Sequence, residues 1–143
     1  MPKHHGSCHC GNVQVEYDTS LSFPDWPLRA CQCAFCRAHG VTTTSDPKGR
    51  LSVNVKGADK LSVYRFGMRV TDFLICKTCG VYLAAVTESE GEKYAVLVVN
   101  NLDCREQLLD REPQAMVYDA EQKEQRVNRR AERWSRFAGV TGI

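Results

Sequence analysis

Hydrophobic and polar residues alternate over much of this chain, the period-two pattern of half-buried strands. Val13, Val15 and Tyr17 alternate with polar neighbours and predict a first strand. Pro24 and Pro27 flank Asp25-Trp26 and predict a loop over 20–28. The β-branched run Val41-Thr42-Thr43-Thr44 predicts a short strand, closed by the turn cluster Asp46-Pro47-Lys48-Gly49. Leu51, Val53 and Val55 alternate, then Leu61, Val63 and Arg65, with a turn at Gly57-Ala58-Asp59-Lys60 between them and a break at Gly67. Further strands are predicted within 69–75, 81–87, 94–99 and 115–118.

Only two stretches have helical character. A short turn is predicted over Ala34 to His39. A longer helix is predicted from Ala120 to about Phe137, because Val127, Ala131, Trp134 and Ala138 fall at helical spacing. The expected fold is mainly β, an antiparallel all-β arrangement with a helical C-terminal segment. Residues 1–143 are expected to form one domain, large enough to bury a core. No apolar run is long enough to span a membrane. The start, Met1-Pro2-Lys3-His4-His5-Gly6, has no apolar signal region, so a cytoplasmic location is expected. A reducing cytosol keeps thiols free, which favours metal binding over disulfides.

The eight cysteines change the picture most. Cys8 and Cys10 form a C-x-C, Cys31, Cys33 and Cys36 a C-x-C-x-x-C, and Cys76 and Cys79 a C-x-x-C; Cys104 stands alone. Such close spacing suits gripping a metal ion better than pairing as disulfides. Gly11 and Gly80 follow the two outer pairs and permit the tight turn that points backbone N–H groups at sulfur. Two pairs give four thiolates, a closed structural zinc site. Three thiolates with an open fourth position is the pattern of a catalytic zinc, whose bound thiol is deprotonated at neutral pH. Spacing leaves the partition open. Cys8, Cys10, Cys31 and Cys33 can also close one site and leave Cys36 with Cys76 and Cys79. His39, one helical turn from Cys36, can also complete the middle site.

The order of these groups resembles one known family. Cys8-His9-Cys10-Gly11, then Cys31-Gln32-Cys33-Ala34-Phe35-Cys36-Arg37-Ala38-His39-Gly40, then Cys76-Lys77-Thr78-Cys79-Gly80 look like the glutathione-dependent formaldehyde-activating enzymes, a family that includes centromere protein V. The resemblance covers roughly residues 6–118. It implies a β-tent fold of antiparallel sheets with zinc at their junction. It implies a structural zinc on Cys8, Cys10, Cys76 and Cys79, and a second zinc on Cys31, Cys33 and Cys36, where glutathione docks. The implied activity is that of a carbon–sulfur lyase, run in reverse to join glutathione to formaldehyde, so the expected partners are small-molecule thiols and aldehydes. The chain departs from the family pattern at Tyr64-Arg65-Phe66-Gly67, where members often have Tyr-x-Ser-Ser, and at Ile75, where they often have Phe. The Gln-, Glu- and Arg-rich C-terminal third also matches poorly. These differences leave the zinc ligands alone and bear on the substrate.

Among the remaining candidates, Arg37 follows the triplet and can pair with a glutathione carboxylate, or support the fold through a salt bridge. Trp26 can wall a substrate pocket or fill the core. His4, His5 and His9 are expected to be mobile or solvent-facing, and Cys104 a small buried hydrophobe. A sulfoxide reductase-like redox enzyme would need Cys104 opposite a zinc site. The formal net charge of +2 falls to −1 if seven thiolates hold two zinc ions, so charge is no argument for nucleic acid. Six basic and three acidic residues in 121–136 read as the solvated face of an amphipathic helix that packs Val127 and Trp134 inward, since no base-stacking aromatic pattern accompanies them. A non-catalytic zinc module that binds a protein or nucleic acid is the competing function.

Overall fold

The computed structural model describes residues 1–142. Its strands are β1 (Lys3–Ser7), β2 (Val13–Asp18), β3 (Arg29–Cys31), β4 (Thr43–Thr44), β5 (Arg50–Val55), β6 (Leu61–Tyr64), β7 (Asp72–Cys76), β8 (Tyr82–Ser89), β9 (Glu92–Val98), β10 (Gln114–Met116) and β11 (Ser135–Thr141). The helices are α1 (Ala34–His39), α2 (Arg105–Leu108) and α3 (Lys123–Arg133). The fold is mostly β, as the alternating pattern requires. No helix among the described residues is long and apolar enough to cross a membrane, which says nothing of a β-barrel.

The sheet branches at β9. One path runs β1-β2-β5-β11-β9-β4-β3-β10, and a second leaves β9 through β8 and β7 to β6. The pairing is mixed rather than wholly antiparallel: β11 lies parallel to β5, and β10 parallel to β3. Both parallel partners come from the C-terminal third, which returns to the sheet after long excursions.

Strand β9 is buried on both faces. Ala95 and Leu97 face a main core with Tyr17, Trp26, Leu51 and Leu83. Val96 and Val98 face a second cluster with Phe73, Tyr82 and Trp134, against which Phe35 and Phe66 pack. This alternation places two separate apolar interiors on either side of one strand.

The N-terminus is ordered, contrary to the mobility expected for His4 and His5. Strand β1 pairs with β2 along its whole length. His4 packs edge-on against Trp26 at 5.0 Å and against Phe23 at 5.7 Å. Lys3 reaches Glu16 and Asp18 across the pair. Gly6 lets the strand pass close to another backbone, since a Cβ there would meet Asn101 O at 2.5 Å.

The C-terminal helix is shorter than the spacing predicts. It stops at Arg133, and the chain continues as β11 instead of remaining helical to Phe137. A buried polar network captures the exit. Ser135 Oγ accepts from Asp46 N at 2.8 Å and contacts Tyr17 Oη at 3.2 Å, while Thr19 Oγ1 donates to Asp46 Oδ2 at 2.7 Å. Trp134 is buried at the junction. Tertiary hydrogen bonds thus override the local helical pattern.

Candidate functional site

The two outer cysteine pairs sit on matching turns. Cys8 N donates to Val13 O and Cys76 N to Val81 O, both at 2.9 Å. Gly11 and Gly80 take φ of +86° and +78°, which lets each chain reverse directly after its second cysteine. The backbone N–H of Val13 points at Cys8 Sγ (3.3 Å) and that of Cys79 at Cys76 Sγ (3.5 Å). Such donors favour thiolate ligands.

The turns face each other, so Cys8, Cys10, Cys76 and Cys79 form one group with sulfurs within 4.8 Å of one another. The Cys8–Cys10 and Cys10–Cys76 sulfurs are 3.7 and 3.6 Å apart. Disulfide sulfurs are bonded at about 2.0 Å, whereas four thiolates around zinc at about 2.3 Å stand about 3.8 Å apart. The donor set, spacing and N–H support fit zinc. Burial is the first influence on Cys8 and raises its thiol pKa to about 11. In Cys79 burial acts upward but is outweighed by backbone N–H groups and neighbouring thiols, leaving it at about 6. Unlike neighbours of this kind share protons until a cation replaces them.

Cys31, Cys33 and Cys36 form a second group, again with sulfurs within 4.8 Å. Cys31 ends β3, Cys33 caps α1, and Cys36 lies inside its first turns. Cys33 Sγ accepts from Cys36 N at 3.4 Å, and Gly40 closes the helix at φ +60°. The end of β3 and a short helix between capping cysteine and glycine therefore hold the three sulfurs in one group. The hydrogen bond from Cys36 is the main influence lowering Cys31, to about 5, and correspondingly pushes Cys36 up. The group has three members among the described residues; the alternative partitions, with Cys36 joined to Cys76 and Cys79 or with His39 as a fourth member, do not occur. His39 instead packs on Phe35 and Tyr82 at 4.6 and 5.5 Å.

The triplet borders a cavity of about 120 Å³. Its lining combines the aromatic Phe66, Phe73, Tyr82 and Trp134 with the basic Arg29, Arg69, Arg126, Arg129 and Arg130. Tyr82 is fully buried, and burial, followed by the charge of the cysteines, raises its phenol pKa well above the ordinary value. Helix α3 supplies three of the arginines. Gln125 accepts from the N–H of Gln122 at 2.8 Å and anchors its start. Arg126 and Arg129 pair with Glu121 at 3.3 and 2.7 Å, and Arg129 also covers the Tyr118 ring at 3.7 Å. Arg130 donates to Thr71 and Thr87 and lies over Trp134 at 4.5 Å.

Other candidates fall elsewhere. Arg37 is exposed and lies outside the cavity lining. Trp26 is 1% exposed and belongs to the main core, with Nε1 donating to Leu21 O at 3.0 Å. His9 faces solvent. Cys104 packs against the main core, outside both cysteine groups. The charged face of α3, read from the sequence as solvated, places Arg126, Arg129 and Arg130 in the lining of the cavity that the triplet borders. The signal for this was Trp134 at the helix end, which is buried and stacks with Arg130 one turn before it.

Fold and site define a mostly β protein with two cysteine clusters able to hold zinc. Residues 3–121 match the family described as glutathione-dependent formaldehyde-activating enzyme, and the chain belongs to that family. Among solved structures, it is similar to the crystal structure of a Rhodobacter sphaeroides protein. The two are 32% identical over 78% of this chain and 99% of that one, with a TM-score of 0.57.

Proposed function

We propose that the protein is a zinc-dependent carbon–sulfur lyase that joins a small thiol to an aldehyde, or separates the adduct. Glutathione and formaldehyde are the first substrates to consider. The observation that carries this reading is the cysteine triplet at a cavity wall, with three sulfurs grouped where a closed structural site has four. Cys31, Cys33 and Cys36 would hold the zinc of the reaction, and Cys8, Cys10, Cys76 and Cys79 a structural one. Zinc held by Cys31, Cys33 and Cys36 would lower the pKa of a substrate thiol.

The chain's own residues do the rest. The end of β3, the capping Cys33 and helix α1 together hold the three sulfurs in one group, so the thiol end of a substrate has a single place to dock. Phe66, Phe73, Tyr82 and Trp134 limit water at the adjoining wall and leave room for the carbon end of the adduct. In the joining direction the substrate sulfur forms a bond to the aldehyde carbon. The carbonyl π electrons pass to oxygen, which takes a proton, while the thiol proton leaves to water. Separation is the reverse. No side chain is assigned as general base.

Metal analysis and NMR test the reading together. The protein is expected to hold two zinc ions per chain and to accelerate formation of S-hydroxymethylglutathione from glutathione and formaldehyde. Cys36→Ser should keep one zinc and lose the acceleration. One tightly held zinc, with Cys31, Cys33 and Cys36 freely alkylated and no acceleration, would overturn it in favour of a non-catalytic zinc module.

A further inference from the structure

The cavity beside the triplet is larger than a one-carbon substrate needs. Its volume is about 120 Å³. A water molecule needs about 10–15 Å³ of such space, and an apolar cavity of about 150 Å³ in another protein holds benzene. Formaldehyde adds one carbon and one oxygen to sulfur and would leave most of the space unfilled. The lining suits an apolar occupant. Phe73, Tyr82, Ala85, Val96 and Trp134 all contribute to it, and each is at most 7% exposed. The guanidiniums have partners of their own: Arg29 donates to Ser45, Arg126 and Arg129 to Glu121, and Arg130 to the hydroxyls of Thr71 and Thr87.

The aromatic surface is continuous with the cysteine helix. Phe35, between Cys33 and Cys36, packs on Phe73 at 4.5 Å, Tyr82 at 5.2 Å and Phe66 at 5.5 Å. Phe66 in turn stacks on Phe73 at 5.0 Å, with the ring planes 20° apart. It is half-buried on the loop between β6 and β7, in the tetrapeptide where the sequence departs from the family pattern. Rings packed on one another in this way favour a ligand that fills the space beside them over one that leaves it wet. Resting on the reading that a thiol–aldehyde adduct docks at the triplet, we infer that the aldehyde is an apolar one with a chain of roughly four to six carbons, and that Phe66 and Ala85 set this preference. The sulfur–carbon bond made or broken is the one already described, with the same movement of electrons and protons. The carbonyl carbon bears the apolar chain where formaldehyde bears hydrogen.

Two series on the zinc-loaded full chain test this, with the thiol part held constant. Calorimetric titration compares S-methylglutathione with S-hexylglutathione. Each methylene placed in the cavity is worth roughly fourfold in affinity, so the hexyl compound should bind roughly tenfold tighter or more. Exchange NMR compares formaldehyde with hexanal, each reacting with glutathione, as acceleration over the uncatalysed reaction; hexanal should be accelerated more. Ala85→Leu, which fills the cavity, and Phe66→Ala, which removes a ring from its lining, should each shrink the hexyl-to-methyl affinity ratio at least threefold. The comparison within the parent needs no variant and so survives any misfolding of Ala85→Leu. Affinities for the two thioethers within about twofold, a ratio unmoved in both variants, or greater acceleration of formaldehyde than of hexanal would overturn the preference. Hexyl binding that depends on Ala85 and Phe66, without acceleration of any aldehyde, would instead leave the apolar pocket standing and remove the lyase reading.

Discussion

Cys10 Sγ and Cys76 Sγ stand 3.6 Å apart, although 66 positions separate them along the chain. A metal at this contact would crosslink the N-terminal turn to the middle of the sheet, and its binding energy would become folding energy. Cys10→Ser or Cys76→Ser is expected to lose one zinc per chain and to lower Tm by roughly 10 °C, an effect on the order of 3 kcal/mol. Metal analysis and scanning calorimetry check both numbers. A variant that loses zinc at unchanged Tm would contradict a structural role for this site.

The triplet should behave differently. Its cysteines span only residues 31–36, so a metal there would close a short loop and constrain the unfolded chain little. Cys33→Ser should lose the other zinc and the thiol chemistry with less than half the Tm change of Cys10→Ser. Equal Tm losses in the two variants would refute this division of labour.

Trp26 belongs to stability and not to ligand binding. It is 1% exposed in the main core, stacked edge-on against Tyr17 at 5.5 Å. Trp26→Ala should cost about 3–5 kcal/mol in denaturant unfolding. Where the variant remains folded, its affinity for S-methylglutathione should match the parent's. A selective loss of affinity would place Trp26 at the site after all.

His4 should give the protein an acid-sensitive limb. Burial, with the neighbouring His5 second, holds its imidazole below the ordinary pKa against an opposing pull from Asp18. The unfolded chain then binds more protons than the folded one. The His4 contribution is complete above pH ~6.5 and declines as pH falls below it. His4→Phe keeps an aromatic ring against Phe23 and Trp26 and takes up no proton. Its Tm should fall less between pH 7 and 5.5 than the parent's; parallel profiles would exclude His4 as the cause.

Gly6→Ala tests how β1 is seated. The added methyl would lie 2.5 Å from Asn101 O, a backbone atom that cannot swing aside. A loss of about 1–3 kcal/mol is expected, with faster amide exchange in residues 3–7. Unaltered protection there would show that the strand tolerates the shift.

Much of the fold was legible because half-buried strands write themselves as alternation. Val13-Gln14-Val15-Glu16-Tyr17 and Leu51-Ser52-Val53-Asn54-Val55 became β2 and β5. The missed strands lack that signature. Strand β1 is a polar edge strand ordered by its partner, and β3, three residues long, is half-buried throughout. Strand β11 follows a helix whose periodicity runs past its real end, and only the buried Ser135 network shows why the chain turns.

The cysteine groups, their glycines and the short helix carrying Cys36 were determined by sequence, because each is a local device spanning a few residues. The same holds for the family resemblance built on them. Which groups share one cluster was decided by tertiary structure, since two turns equally able to hold metal meet only if the sheet brings them together. It also decided that Arg37 faces solvent while Arg29, Arg126, Arg129 and Arg130 line the cavity. Sequence distance to the triplet pointed to Arg37, whereas the packing of Trp134 against the second core swings a distant helix over the site.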